Sequence, residues 1–123
     1  MALPGCHRLK HRDDFSRVYQ SGLRRSTANL TLRALRLPAA LNSEAVRCAR
    51  IGISISQKVS KRAVVRNRIK RQIHAVFRQF LPALVPGWML VIVVKPSATQ
   101  CGYEQFLQEL KQLLTSAEVW HGD

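Results

Sequence analysis

Acidic residues are nearly missing from most of this chain. Asp13, Asp14 and Glu44 are the only ones before Glu104, and none lies between Glu44 and Glu104. A carboxylate-based active site is hard to build from so few. Cysteine is almost as scarce. Cys6, Cys48 and Cys101 are odd in number and widely spaced, so they offer neither a disulfide framework nor a C-x-x-C pair. Cys6, His7 and His11 lie close together, but a metal site needs a fourth ligand and a second ligand pair, and the pattern supplies neither. They read as a basic, frayed N-terminal segment, and no metal site is expected. No Ser/His/Asp set, glycine-rich phosphate loop or H-E-x-x-H is present, so no catalytic residue is assigned. Long apolar runs are missing too. The longest, Trp88–Val94, is far too short to span a bilayer. The opening MALPGCHRLK has no apolar h-region. A cytoplasmic protein without a membrane partner is expected.

What the chain has is positive charge. It carries 20 Lys+Arg against 7 Asp+Glu, a formal +13 on 123 residues. The charge is lopsided: residues 1–78 hold 18 bases and three acids (+15), whereas residues 79–123 hold two bases and four acids (−2). Such asymmetry predicts a sided molecule with one face for an anion. The density peaks from Lys58 to Arg71, where seven of fourteen residues are cationic and none is acidic. Its core reads RNRIKR, Arg66 to Arg71. Like charges at this spacing raise each other's free energy in an isolated fold. Beside a polyanion each can displace a condensed counterion. A phosphate-rich partner is therefore expected. The apolar fraction of 46% and the length predict a single folded domain with a real core.

Periodicity places the elements. Residues 13–22 (DDFSRVYQSG) predict a short helix, capped by Asp13 or Asp14 and ended by Gly22. Phe15, Val18 and Tyr19 form its apolar stripe. Val18 reads as core. Phe15 and Tyr19 read either as core or as stacking rings, because they stand among Arg12, Arg17, Arg24 and Arg25, the mixture of rings and cations that base stacking uses. Residues 27–37 predict a strand with Leu30 and Leu32 on one face, and residues 38–47 a loop. Residues 50–56 alternate cleanly, with Ile51, Ile53 and Ile55 against Gly52, Ser54 and Ser56. The small polar face is either an ordinary solvated sheet face or a trough for an extended strand. A third short strand is allowed near Val46–Arg50. From Ser60, a possible N-cap, a helix should run to about Leu81. Val65, Ile69, Ile73, Val76, Phe77 and Phe80 would be buried and Asn67, Lys70, Arg71, His74 and Arg78 would lie opposite. A solvated face normally mixes signs to gain i,i+4 pairs; this one has no acid to pair with. Trp88–Val94 predicts a central strand covered on both faces. A last helix from about Tyr103 to Ser116 would bury Phe106, Leu107, Leu110, Leu113 and Leu114. The expected architecture is an α+β sandwich with helices on one side of a small sheet.

Three blocks of the chain resemble the protein subunit of bacterial ribonuclease P. They are HRLKHRDDFSRVYQSG (7–22), RIGISISQKVSKRAVVRNRIKRQIHAVFR (50–78) and WMLVIVVKPSATQCGYEQFLQELKQLL (88–114). RNRIKR following an R-I-G-I-S-I-S strand, with D-F-x-x-V-Y upstream in the right order, is far more specific than a bare RNR. The resemblance implies one domain over 1–123, ordered α-β-β-β-α-β-α as a two-layer sandwich with a left-handed βαβ crossover, and loose ends at 1–10 and 117–123. It implies that Arg62, Arg66, Asn67, Arg68, Lys70 and Arg71 contact a catalytic RNA. It implies that Phe15, Tyr19, Ser54, Ser56 and Lys58 line a cleft for the single-stranded 5′ leader of precursor tRNA. The implied activity is removal of that leader, with hydrolysis carried by the RNA and its magnesium. The protein itself binds no cofactor in this reading and needs no obligate protein partner. Many relatives have two lysines where this chain has Gln57-Lys58, and a glycine within Ser60-Lys61-Arg62. The cleft edge thus loses one cation while the turn gains charge. Two other classes share the charge pattern: a ribosomal or assembly protein that binds RNA without processing it, and a DNA-binding protein with the basic helix in a major groove. The second lacks a symmetric element or zinc site. Membrane-surface binding fits least, because the basic helix needs its apolar face for the core.

Overall fold

The computed structural model describes residues 12–36, 49–84 and 87–118. Its elements are α1 (Arg12–Ser21), β1 (Leu23–Ser26), β2 (Leu30–Arg36), β3 (Arg50–Ser54), α2 (Ala63–Phe80), β4 (Trp88–Val94) and α3 (Tyr103–Ala117). The order is the expected α-β-β-β-α-β-α. The strands form one sheet in the order β1-β2-β4-β3. β1 and β2 are antiparallel, as are β2 and β4, while β3 and β4 run parallel. Parallel neighbours need a long crossover, and α2 supplies it.

β4 organises the interior because its apolar residues fall at both odd and even positions, so both of its faces need cover. Leu90, Ile92 and Val94 join Leu30, Leu32, Ala34 and Ile51 on one face. There they meet Ile69, Ile73, Val76, Phe77 and Phe80 of α2 and Phe106, Leu110, Leu113 and Leu114 of α3. Met89 and Val91 point the other way and pack on Val18 of α1, with Phe15, Leu35 and Val93 around them. The expectation of helices on one side therefore holds for α2 and α3 only; α1 lies across the opposite face. Gly22 lets it do so. A Cβ there would stand 2.5 Å from the Val18 carbonyl oxygen and 2.7 Å from that of Ala34, so the chain can pass from α1 into the sheet edge only without a side chain.

Several boundaries differ from the sequence reading. β1 was not expected, because LRRS puts an arginine on each face and hides the alternation. Residues 27–29, read as part of a strand, form the turn between β1 and β2. The loop expected at 38–47 and most of the extra strand near Val46–Arg50 lie outside the described residues. β3 ends at Ser54, two residues early. Ser60 is not the N-cap of α2. Arg62 occupies that position without a side-chain cap, and Ser60 Oγ instead accepts the Arg62 backbone N–H at 3.1 Å. Asp13 and Asp14 sit inside the first turn of α1, where they favour the helix dipole. α3 extends through Ala117, which is buried, inside the stretch expected to be a loose end.

The β1–β2 turn is held from two sides. Glu109 of α3, only 3% exposed, accepts hydrogen bonds from Thr27 Oγ1, the Asn29 backbone N–H (3.0 Å), Asn29 Nδ2 (2.6 Å) and Gln105 Nε2 (2.8 Å). Burial pushes this carboxyl's pKa up, but the donors from Thr27, Asn29 and Gln105 outweigh it, and the net direction is down. Lys95 Nζ donates to Ser26 Oγ (2.7 Å) and to the Thr27 carbonyl. Ser97 Oγ donates to the Ala28 carbonyl at 3.2 Å. The lysine of the Lys95-Pro96 block is thus a structural tie across the sheet.

Candidate nucleic-acid interface

Among the described residues, no carboxylate is paired with a Lys or Arg of the basic helix. An ion pair joins Arg17 to Asp14 at 3.9 Å within α1. Asn67, Lys70 and Arg71 are exposed on α2, opposite the buried stripe, and Arg62 is exposed at its N-cap. Arg66 and Arg68 are half-buried at its flanks. Both are steered by backbone carbonyls: Arg66 Nη1 donates to Ser60 O at 2.7 Å, and Arg68 Nη2 donates to Thr99 O at 3.1 Å. The Arg68 Nε atom is buried with no partner. The two arginines are therefore held at fixed positions, while Lys70 and Arg71 are exposed charges. No acid stands in the first turn of α2, so the positive end of its dipole adds to Lys61 and Arg62 rather than being cancelled.

The second surface is the sheet face that α1 crosses. Strand register sorts its side chains into rows. Ser26, Thr31, Val93 and Ser54 lie in one row across all four strands; Arg24, Arg33, Val91 and Gly52 form the next. α1 walls this face. Phe15 is half-buried against the cluster of Val18, Met89 and Val91, and Tyr19 is 37% exposed. Ser54 opens onto the face at its β3 end. Ser56 and Lys58 are exposed in the turn that follows, where Ser56 Oγ accepts the Lys58 N–H at 3.2 Å. That turn leads within a few residues to the start of α2, so the trough and the basic helix adjoin.

The structure thus brings Phe15, Tyr19 and Ser54 to one face, with Ser56 and Lys58 at its rim, and gathers Arg62, Arg66, Asn67, Arg68, Lys70 and Arg71 on one helix. It also adds residues that sequence reasoning did not assign. Arg33 lies with its guanidinium carbon 5.4 Å from the centre of the Tyr19 ring and donates to the Tyr19 carbonyl at 3.2 Å. Arg24 stands directly across from it on β1. Only the pairing of β1 with β2 shows this, and β1 leaves no mark in the residue pattern. Cys101 is half-buried, and burial together with the charge of Glu109 pushes its thiol pKa up, which disfavours the reactive thiolate. Among the described residues, no three His, Cys, Asp or Glu side chains are grouped to hold a metal ion; Cys6, His7 and His11 lie outside them. No helix of the described residues is long and apolar enough to cross a membrane.

Fold and surface together define a small α+β protein with a cationic crossover helix and an aromatic-walled sheet face. The family model described as Ribonuclease P matches residues 3–118. The chain is 57% identical to the ribonuclease P protein component of a Cyanothece species, covering 94% of this chain and 95% of that one. It is 53% identical to the component from Trichormus variabilis, covering 99% of each. Among solved structures, the Staphylococcus aureus RNase P protein superposes with a TM-score of 0.79 at 25% identity, over 93% of this chain and 97% of that one. The RNase P protein of Thermotoga maritima gives 0.73 at 19% identity, over 89% and 96%, and so shares the fold. The chain belongs to the ribonuclease P protein family.

Proposed function

We propose that this chain binds the catalytic RNA of ribonuclease P through α2, and the 5′ leader of precursor tRNA across the α1-walled sheet face. Together they remove the leader to make the mature tRNA 5′ end. The observation that carries this reading is the exposed row Arg62, Asn67, Lys70 and Arg71, with no carboxylate paired to it among the described residues. A fold retains such a cluster at a cost in self-repulsion, and a polyanion removes that cost. The protein supplies no nucleophile or base in this mechanism. The RNA carries the hydrolysis, and its own magnesium ions activate the water. The chain screens repulsion between two RNAs and holds the leader, which favours precursor over mature tRNA. Its site of action is the cytoplasm.

Adding the purified protein to its RNA and a leader-bearing tRNA tests the reading. Accurate 5′ cleavage should be stimulated most at low magnesium, where screening is scarce. Equal stimulation at low and high magnesium would remove the screening account. RNA binding with no effect on cleavage would favour a non-processing RNA-binding role.

A further inference from the structure

Arg24 and Arg33 are paired directly across β1 and β2 on the open sheet face. Like charges in that position oppose sheet formation, and among the described residues no acid neutralises either. One of the two is held in place. Arg33 is half-buried, anchored through Nη1 to the Tyr19 carbonyl and laid over the Tyr19 ring. Arg24 is exposed, and its backbone carbonyl is fixed by Arg25 Nη1 at 2.9 Å. The β1–β2 turn beside them is locked by Glu109 and Lys95, so the two strands cannot part to relieve the repulsion. An arginine held at one nitrogen still offers a planar edge of N–H donors, the shape that grips a phosphate through two bonds.

We propose that Arg24 and Arg33 clamp one backbone phosphate of the single-stranded leader at the β1 edge of the sheet, next to a base stacked on the free face of Tyr19. This rests on the leader reading above and extends it. Lys58 marks one end of the track, beyond β3, and the arginine pair marks the other. The two edge strands are three strand spacings, roughly 14 Å, apart. A leader must therefore exceed a threshold length before it reaches the pair. The contact is to phosphate, so it adds affinity without reading sequence.

The test uses the reconstituted holoenzyme and precursor tRNAs whose leaders shorten stepwise from about ten nucleotides to none. Arg24→Ala, in an exposed position, should fold as the parent does. It should bind long-leader substrates roughly tenfold more weakly, about one hydrogen bond to a charged group. It should lower the slope of log affinity against log salt by about 0.7, the value for one phosphate on a single strand. It should not change binding of leaderless tRNA. Arg33→Ala should do the same. A neutral methylphosphonate at a single leader position should weaken binding to the parent protein and have no effect with the double variant Arg24→Ala/Arg33→Ala. A loss independent of leader length, or a methylphosphonate effect that persists in the double variant, would overturn the clamp. If affinity ignores leader length even for the parent protein, the leader reading itself fails; if length dependence survives intact in both arginine variants, only the clamp fails.

Discussion

Glu109 shows how one side chain can set the shape of a distant turn. Its carboxylate takes four hydrogen bonds, three of them from Thr27 and Asn29. Glu109→Gln keeps the size but removes the charge and turns an acceptor into a donor facing donors. It should destabilise the fold by about 1–3 kcal/mol, read by thermal unfolding at neutral pH. Because the folded pKa is lowered, the carboxylate's stabilisation is complete above its ordinary pKa and disappears as pH falls through the folded value. The parent should lose stability through that acid range more steeply than Glu109→Gln; parallel curves would show that Glu109 does not drive the acid transition. Gly22→Ala is a second local test. A methyl group 2.5 and 2.7 Å from two backbone oxygens forces α1 off the sheet and should cost about 1–3 kcal/mol, with the tyrosine-dependent near-UV signal altered as Tyr19 shifts.

Helices α1 and α2 each do two jobs, and substitutions should separate them. On α2, Lys70→Ala removes an exposed point charge, so it should reduce the salt dependence of catalytic-RNA binding and leave the melting temperature unchanged. Arg68→Ala also breaks the tie to Thr99. It should cost roughly 1–3 kcal/mol of RNA affinity and lower the melting temperature as well. On α1, Phe15→Ala should weaken precursor binding by about 1–3 kcal/mol, the range for base stacking, with mature tRNA unaffected. The half-buried ring also packs on the Met89–Val91 cluster, so some stability is lost with it. Equal losses for both tRNAs would exclude leader stacking.

Taken over the full length, charge and packing are segregated. The nearly neutral C-terminal part supplies β4 and α3, the two elements that complete the core, while the basic part supplies the α2 surface and the charged residues of the trough. The +13 chain thus carries 18 of its 20 Lys and Arg outside the segment that supplies β4 and α3. Its cleavage-stimulating effect should fall steeply with added monovalent salt, because each screened phosphate contact depends on counterion release. A salt-independent effect, measured by single-turnover cleavage, would count against an electrostatic role.

Periodicity alone was enough to identify α2, α3, β4 and most of β3. Their apolar residues recur at 3.6 or alternate at 2, or run unbroken where both faces are covered, and burial rewards each pattern directly. The RNRIKR block and the missing acids likewise pointed to a phosphate-rich partner, since net charge does not depend on folding. What stayed hidden depends on contacts between segments far apart in the chain. β1 exists because Leu23–Ser26 finds β2 and because Glu109, some eighty positions later, holds the turn between them. α1 chose the face away from α2 and α3 because β4 is apolar on both sides, and no local pattern says which helix covers which. The meeting of Arg24, Arg33 and Tyr19 follows from those two choices. Register, not composition, brings them together.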